Sequence, residues 1–269
     1  MVDTARLFRL DGQTALITGA ASGLGQVIAE GYAAAGAEVI CADIEAVRLD
    51  GVSRGIAEAG GKATALTLDV ADEKSVEAAV APLRQRRQRI DVLVNCAGVA
   101  AMPARTHELS IADWHRVVAI NLTGTFLMTR AVLPMMLGHE GSIVNLASVL
   151  GAGGGYYPGF PSTGLHYAAT KAAIVGLTRQ LAAEYAADNI RVNAIAPGWL
   201  FGTRLGDYRR SKMSDDEQKR FLAEIKARIP MGRTGAPEEI LGLALYLAAP
   251  ASRYVTGQLV AQDGGWTAC

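Results

Sequence analysis

The stretch QTALITGAASGLG, residues 13–25, decides the fold, because a short apolar run passes directly into a glycine-rich turn and then into an alanine-rich segment. The run has the length of a buried strand. Glycines in the turn let the backbone approach a phosphate closely, and the first N–H groups of the following helix point toward the same place. The spacing GxxxGxG is looser than the common GxGxxG of dinucleotide folds. We expect this turn to hold a pyrophosphate with Gly19, Ser22, Gly23, Leu24 and Gly25.

Short apolar runs and longer helical patterns alternate along the rest of the chain. Further strands are predicted at 38–42, 64–68, 91–94, 142–147, 190–196 and 258–261. Helices are predicted at 23–35, 46–59, 73–89, 110–136, 166–187, 215–228 and 237–249, with starts marked by Asp72, Ser110 and Pro237. This order is typical of an α/β fold with seven parallel strands joined by right-handed crossovers. Residues 149–165 and 199–229 break the rhythm, which predicts loops or a lid over a site.

Composition narrows the class of protein and its partners. With 269 residues, half of them hydrophobic, we expect one α/β domain over 1–269. The 26 basic and 26 acidic residues cancel, which argues against nucleic acid or an anionic membrane as partner and favours a small molecule. No long uncharged apolar run indicates a membrane span or a signal peptide, so a cytoplasmic location is expected. Neither the cysteines nor the histidines have metal-ligand spacing, and no metal is assigned.

Polar or turn-forming residues follow each predicted strand. Because the carboxyl ends of parallel strands meet at one edge of a sheet, these residues should lie together around a ligand. They are Asp43, Asp69, Val70, Asn95, Ala97, Gly98, Ser148, Pro197 and Gly198. We expect Asp69 to bond an adenine amino group and Val70 to flank the ring.

Asp43 stands twenty-four residues after Gly19, where a carboxylate accepts hydrogen bonds from the ribose hydroxyls of an adenosine. A 2′-phosphate ~4 Å away would be repelled by about 4 kcal/mol per charge at an effective dielectric constant of 20. The glycine turn holds no Lys or Arg to offset this repulsion, and Arg48 is the only cation nearby in sequence. The sequence therefore favours NAD over NADP, although Asp43 could also be a simple turn or helix cap.

Tyr167 and Lys171 are four residues apart on one predicted helix face, nineteen residues after Ser148. A lysine ammonium ~4 Å from a phenol is worth roughly 4 kcal/mol, about three pKa units, which would bring a tyrosine into the range of a useful base. Ser148 would hydrogen-bond the substrate oxygen beside the phenol. His166 points away from its neighbour on a helix, so we expect it to be a packing or rim residue.

The motifs TGAASGLG, Asp43, Asp69-Val70, NCAG, Asn121, Ser148, YAATK and PG together resemble the short-chain dehydrogenase/reductase family over essentially the whole chain. The resemblance implies a doubly wound Rossmann fold, a nicotinamide cofactor and a catalytic tetrad of Asn121, Ser148, Tyr167 and Lys171. In that tetrad Lys171 also bonds the nicotinamide ribose, and Asn121 places a water that leads a proton to solvent. Leu200 and Thr203 are assigned to the cofactor, and a homotetramer built through the long helices and the last strand is expected.

Two features depart from the family pattern. Its members often have about a dozen residues between the serine and the tyrosine, so the loop here is longer, with Tyr156, Tyr157 and Phe160. That loop either shapes specificity or forms a surface or oligomer contact. The family commonly places a threonine five positions after the proline, whereas Thr203 comes six positions after Pro197.

Three functions remain open from the sequence. The first is an NAD-dependent dehydrogenase of a secondary alcohol such as a polyol or sugar. The second is a 3-oxoacyl thioester reductase, which the segments RIPMGRTGAPEEI and DGGW resemble equally well. The third is a non-catalytic dinucleotide sensor, which the complete Ser, Tyr and Lys set disfavours. A basic cluster comprises Arg204, Arg209, Arg210 and Lys212. It is either a solvated face or a binding site for an anionic or acyl-carrier substrate.

Overall fold

The centre of the protein is a parallel sheet of seven strands in the order β3-β2-β1-β4-β5-β6-β7. The computed structural model describes residues 3–102, 104–153, 164–205 and 211–268. The strands are β1 Thr14–Thr18, β2 Glu38–Asp43, β3 Lys62–Thr67, β4 Val92–Asn95, β5 Gly141–Leu146, β6 Ile190–Pro197 and β7 Leu259–Gln262. The sequence prediction of a seven-stranded Rossmann-type sheet is confirmed.

Helices cover both faces of the sheet. They are α1 Gly23–Ala34, α2 Ala46–Glu58, α3 Glu73–Gln85, α4 Ile111–Val118, α5 Gly124–Val132, α6 Val149–Ala152, α7 Leu165–Tyr185, α8 Asp215–Arg228 and α9 Ile240–Ala248. Apolar residues of α1, α2 and α9 form the core on one face, and those of α3 and α5 with part of α7 form it on the other. This two-sided burial explains why the strands read as continuous apolar runs without alternation.

Predicted helix starts agree with the caps in the structure. The Asp72 carboxylate accepts a hydrogen bond from the Lys74 N–H at 3.0 Å, and the Ser110 hydroxyl accepts one from the Asp113 N–H at 3.4 Å. Pro237 begins a 3₁₀ turn, Pro237–Glu239, directly before α9. These side chains satisfy N–H groups that have no partner inside the helix.

The predicted helix at 110–136 is interrupted. A π-helical turn, Ala119–Thr123, separates α4 from α5, and a 3₁₀ turn, Leu133–Met135, follows α5. The whole segment Ile111–Met135 is long and apolar enough to cross a membrane, with a hydropathy of 1.4, yet 56% of that window is buried inside the protein. That burial is typical of a core helix packed on a sheet.

Several residues singled out from the sequence lie outside the described ranges. They are Tyr156, Tyr157 and Phe160 of the loop at 149–165, and Arg209 and Arg210 of the basic cluster.

Candidate active site

The glycine turn between β1 and α1 is packed too tightly to admit side chains. A Cβ added to Gly25 would lie 2.2 Å from the Gly19 carbonyl oxygen, and one added to Gly19 would lie 2.9 Å from the Ala97 backbone. Gly19 also has a φ of 71°, a left-handed conformation that favours glycine. Ser22 precedes α1 without capping it through its side chain. The first N–H groups of α1 are therefore free for an anion, as a bound pyrophosphate requires.

The loop after β4 is held against this turn by Thr18. Its hydroxyl oxygen accepts hydrogen bonds from the Cys96 N–H at 3.0 Å and the Ala97 N–H at 3.1 Å. Gly98 follows, and a Cβ there would lie 3.6 Å from the Lys171 ammonium nitrogen. Cys96, Ala97 and Gly98 thus line the same cavity as Lys171, and Gly98 lies next to the lysine.

Asn121 occupies the π-helical turn and fixes the same loop. Its amide oxygen accepts from the Val99 N–H at 2.8 Å, and its amide nitrogen donates to the Val99 carbonyl at 2.9 Å. The Thr125 hydroxyl donates to the Asn121 carbonyl at 2.8 Å. The π-helical turn thus carries an asparagine side chain that makes two hydrogen bonds to a neighbouring loop, and π turns often occur near functional sites.

Ser148, Tyr167 and Lys171 are brought together where β5 ends and α7 begins. The Ser148 hydroxyl accepts a hydrogen bond from the Leu150 N–H at 3.2 Å, and Ser148, Tyr167 and Lys171 line the same cavity. The Lys171 ammonium nitrogen lies 5.6 Å from the centre of the Tyr167 ring and donates to the Leu146 carbonyl at 2.6 Å. Gly151 of α6 allows this packing, because a Cβ there would lie 2.5 Å from the Lys171 backbone.

Burial dominates the ionisation of this group. Burial raises the pKa of Tyr167 to about 12, although Ser148 acts to lower that pKa. Burial lowers the pKa of Lys171 to about 8. Lys171 was expected to lower the pKa of the phenol, and that expectation is wrong for the protein groups by themselves. The reason is that burial, which disfavours the charged phenolate, has the largest effect on the pKa of the phenol.

The opposite end of the cleft is suited to an adenosine. The Asp43 carboxylate accepts hydrogen bonds from the Ala21 N–H at 3.1 Å and the Glu45 N–H at 3.0 Å, so it is both a turn cap and a fixed charge on the cavity wall. Asp69 caps its own turn through the Ala71 N–H at 2.9 Å. Val70 packs against Gly124 of α5, where a Cβ would come within 2.8 Å of it.

The glycine turn, the Ser148–Tyr167–Lys171 group and the adenosine end line a single cavity of about 800 Å³. The predicted residues that line it are Gly19, Ser22, Gly23, Leu24, Gly25, Asp43, Asp69, Val70, Ala97, Gly98, Ser148, Tyr167, Lys171, Pro197, Gly198, Leu200 and Thr203. Residues that sequence reasoning missed also line it, among them Glu45, Cys96, Asp113 and Arg116, and Arg204 of the predicted basic cluster lines it as well. No local pattern marks the charged members, which reach the cavity through the tertiary fold.

Two predicted site residues lie behind the cavity wall. Asn95 does not line the cavity, and its buried amide donates to Thr129 at 3.0 Å and Asn145 at 2.9 Å. Asn121 is completely buried and acts on the cavity through the loop that it holds.

Thr203 reaches the glycine turn despite its shifted position in the sequence. A Cβ added to Gly23 would lie 3.6 Å from the Thr203 Cβ. Gly202 takes a φ of 95°, a left-handed turn that absorbs the additional residue. The segment at 199–205 therefore crosses the cleft beside the turn.

The expectation that Arg48 is the only cation near Asp43 is wrong. Arg204 comes across from the segment at 199–205, and its guanidinium lies 2.5 Å from the Glu45 carboxylate. Arg48 pairs with the same carboxylate at 2.9 Å.

His166 is fully buried and is not part of the cavity wall. Burial lowers its pKa, and the nearby Asp113 and Arg116 act in opposite directions. This placement agrees with a packing role. Within the four described ranges, no group of three or more His, Cys, Asp or Glu side chains could hold a metal ion.

The cleft combines a helix N-terminus without a side-chain cap, a glycine turn without room for side chains, and a serine–tyrosine–lysine group. Together these features define an oxidoreductase that binds a dinucleotide. The residues present fit an NAD(P) molecule, with the glycine turn at the pyrophosphate, Asp43 at the adenosine and Tyr167 at the nicotinamide end.

The chain belongs to the short-chain dehydrogenase/reductase family. A family model described as enoyl-(acyl carrier protein) reductase matches residues 19–267. The chain is 40% identical to 3-oxoacyl-(acyl-carrier-protein) reductase of Thermotoga maritima over 260 residues, which are 96% of this chain and 98% of that protein. It is 39% identical to D-threitol dehydrogenase of Mycolicibacterium smegmatis over 263 residues, 97% of this chain and 95% of that protein.

A similar solved structure comes from Beutenbergia cavernae and is described as an NAD(P)-dependent gluconate 5-dehydrogenase with bound NADP at low occupancy. It has a TM-score of 0.88 and 42% identity, and the match covers 98% of this chain and 100% of that one. The protein is thus an NAD(P)-dependent oxidoreductase that acts on CH–OH donors.

Proposed function

We propose that Tyr167 is the acid–base group with which this enzyme interconverts a secondary alcohol and a ketone, and that NAD(H) is the preferred dinucleotide. The observation that carries the proposal is that Ser148, Tyr167 and Lys171 lie together on the wall of the cavity that the glycine turn also lines. Those three side chains supply an acid, an oxygen-binding donor and a positive charge.

A bound nicotinamide would supply the hydride acceptor in oxidation and the hydride donor in reduction, and the positive charge of its oxidised form would favour the Tyr167 phenolate. As the phenolate, Tyr167 takes the proton of the substrate hydroxyl in oxidation, and as the phenol it returns that proton to the developing alkoxide in reduction. The Ser148 hydroxyl holds the substrate oxygen beside the phenol. An ammonium has three N–H donors, and because the Leu146 carbonyl takes one of Lys171's, the others are available to a ribose hydroxyl.

The proton leaves the site by way of Asn121. The backbone carbonyl of Asn121 already accepts a hydrogen bond from the Thr125 hydroxyl, and its second lone pair can accept one from a water. Asn121 is therefore a positioning residue for the loop at 96–99 and, in this proposal, an anchor for that water.

Asp43 supports the preference for NAD. Its carboxylate is fixed on the cavity wall by two N–H groups, so it cannot swing away from a 2′-phosphate. The Beutenbergia cavernae protein is described with bound NADP, so the choice of dinucleotide needs a direct measurement. We expect titration with NADH and NADPH, followed by cofactor fluorescence, to give the lower Kd for NADH.

Substitution of Tyr167 by phenylalanine tests the mechanism. We expect Tyr167→Phe to lose about 10²–10⁴-fold in kcat, because the acid–base group is removed, while NADH affinity changes little. Steady-state rates in both directions and a fluorescence titration of NADH are the measurements.

Tyr185→Phe is the matched control, since Tyr185 ends the same helix α7 and does not line the cavity. It should retain full turnover. Retention of more than a few per cent of kcat in Tyr167→Phe, with the dinucleotide still bound, would refute the proposed role.

A polyol or sugar-derived alcohol is the substrate class that we favour. The relatives described as D-threitol and gluconate 5-dehydrogenases support it, and so do the polar groups at the cavity rim, such as Asp113 and Arg116. A 3-oxoacyl thioester reductase is the second candidate, supported by the Thermotoga maritima relative. A panel of polyols with NAD, set against a 3-oxoacyl thioester with NADH and NADPH, distinguishes the two; binding without turnover on any of them would indicate a sensor.

The chain is proposed to act as one functional domain, with Leu200, Thr203 and Arg204 of the segment at 199–205 lining its cavity. A cytoplasmic homotetramer is part of the same proposal, supported by exposed apolar side chains on α4 and α5, where Ile111 is 68% and Phe126 48% exposed. Light scattering coupled to size-exclusion chromatography measures the assembly.

A further inference from the structure

Glu45 holds two arginines at the adenosine end of the cavity. Its carboxylate lies 2.5 Å from the Arg204 guanidinium and 2.9 Å from that of Arg48. Arg48 is one turn along α2, whereas Arg204 arrives from the segment at 199–205 on the far side of the cleft. One acidic side chain therefore neutralises cations from two separate elements.

The position of Glu45 relative to Asp43 is fixed. The Glu45 N–H donates to the Asp43 carboxylate at 3.0 Å, and both residues line the cavity together with Arg204. A phosphate on the adenosine ribose next to Asp43 would meet two carboxylates and a guanidinium that is already paired. An arginine released from its carboxylate would instead offer a planar set of N–H donors suited to a phosphate.

We propose that Glu45 is a specificity-determining residue that excludes 2′-phosphorylated dinucleotides by occupying Arg48 and Arg204. This inference rests on the proposed preference for NAD and extends it, because Asp43 repels the phosphate directly while Glu45 withholds the cations that would compensate. Both arginines remain half-exposed at 56% and 49%, so they are free to turn toward a phosphate once released.

The test compares Glu45→Gln with Glu58→Gln in the full-length enzyme. Glu58 ends the same helix α2, is exposed and lies outside the cavity wall, so its substitution changes the net charge equally. We expect Glu45→Gln to bind NADPH at least about five-fold more tightly than Glu58→Gln, with NADH affinity nearly unchanged. The gain should shrink as ionic strength rises, because the released charges are solvent-exposed.

A triple variant, Glu45→Gln with Arg48→Gln and Arg204→Gln, separates the released cations from the loss of the carboxylate's own repulsion. It should lose most of the gain. Equal NADPH affinity in Glu45→Gln and Glu58→Gln, or a triple variant that keeps the whole gain, would overturn the inference. A wild-type enzyme that binds NADPH more tightly than NADH would instead contradict the proposed cofactor preference, and that result is read from the wild type alone.

Discussion

At the scale of single residues, the positive charge of the buried Lys171 costs free energy in the folded protein. The residue is 4% exposed and its one described side-chain hydrogen bond goes to the Leu146 carbonyl, and burial lowers its pKa from 10.5 to about 8. A carbonyl compensates part of the lost hydration but brings no opposite charge. Protonation of Lys171 therefore costs more free energy in the folded protein than in the unfolded chain.

This penalty makes stability depend on pH in a defined direction. Below pH 8 Lys171 is protonated in both the folded and unfolded chain, and the full cost is present. Between pH 8 and 10.5 the folded chain loses the proton first, so the free energy of unfolding rises with pH relative to Lys171→Met, by about 3 kcal/mol in total. Urea denaturation of both proteins over pH 7–10 measures the difference.

Tyr167 limits the upper end of the pH range over which the effect of Lys171 on stability can be measured. Its pKa is raised in the fold from 10.0 to about 12, so its contribution to stability falls as pH rises from 10 to 12. The comparison should therefore stop near pH 10. A difference between wild type and Lys171→Met that stays flat from pH 7 to 10 would show that the lysine is not desolvated as the structure indicates.

At the scale of elements, the strand–turn–helix unit of β1 and α1 requires that residue 25 carries no Cβ methyl group. We expect Gly25→Ala to lose about 3 kcal/mol of stability and more than ten-fold in NADH affinity, because its Cβ would lie 2.2 Å from the Gly19 carbonyl and neither backbone can move freely. Denaturation and a fluorescence titration measure the two effects.

The matched control is Gly51→Ala in α2, where no atom lies within 4 Å of the added Cβ. Because alanine has less backbone freedom to lose in a helix, this variant should gain about 0.5–1 kcal/mol and bind NADH normally. Equal stability of the two variants would contradict the geometry assigned to the glycine turn.

The same scale explains what the sequence could predict. Strand and helix positions follow from local periodicity, and strand ends gather the polar residues, so the fold and most of the cavity wall were accessible. The π turn was not, because it depends on bonds between Asn121 and Val99 in a different element. The Arg204–Glu45 pair joins residues 159 apart, and the side-chain partners of Asn95 lie 34 and 50 residues away, so neither set of contacts follows from local sequence.

At the scale of the whole molecule, a buried polar network joins the sheet to one helix layer. The Asn95 amide on β4 donates to Thr129 on α5 and to Asn145 on β5, and the Asn145 amide donates to Thr178 on α7 at 2.9 Å. All four side chains are buried. The network thus ties together the strands that carry the site and the helix that carries Tyr167.

Removing the middle of this network should cost more than removing its end. Asn145→Ala leaves a cavity and deprives both Asn95 and Thr178 of a partner, so we expect a loss of about 3 kcal/mol in the free energy of unfolding. Thr178→Val keeps the shape and removes only the last acceptor, which should cost about 1 kcal/mol. Because the residues share one network, the double variant should lose measurably less than the sum of the single losses. Urea denaturation supplies all three values, and strict additivity, or a loss below about 1 kcal/mol for Asn145→Ala, would mean that the layers are held by apolar packing alone.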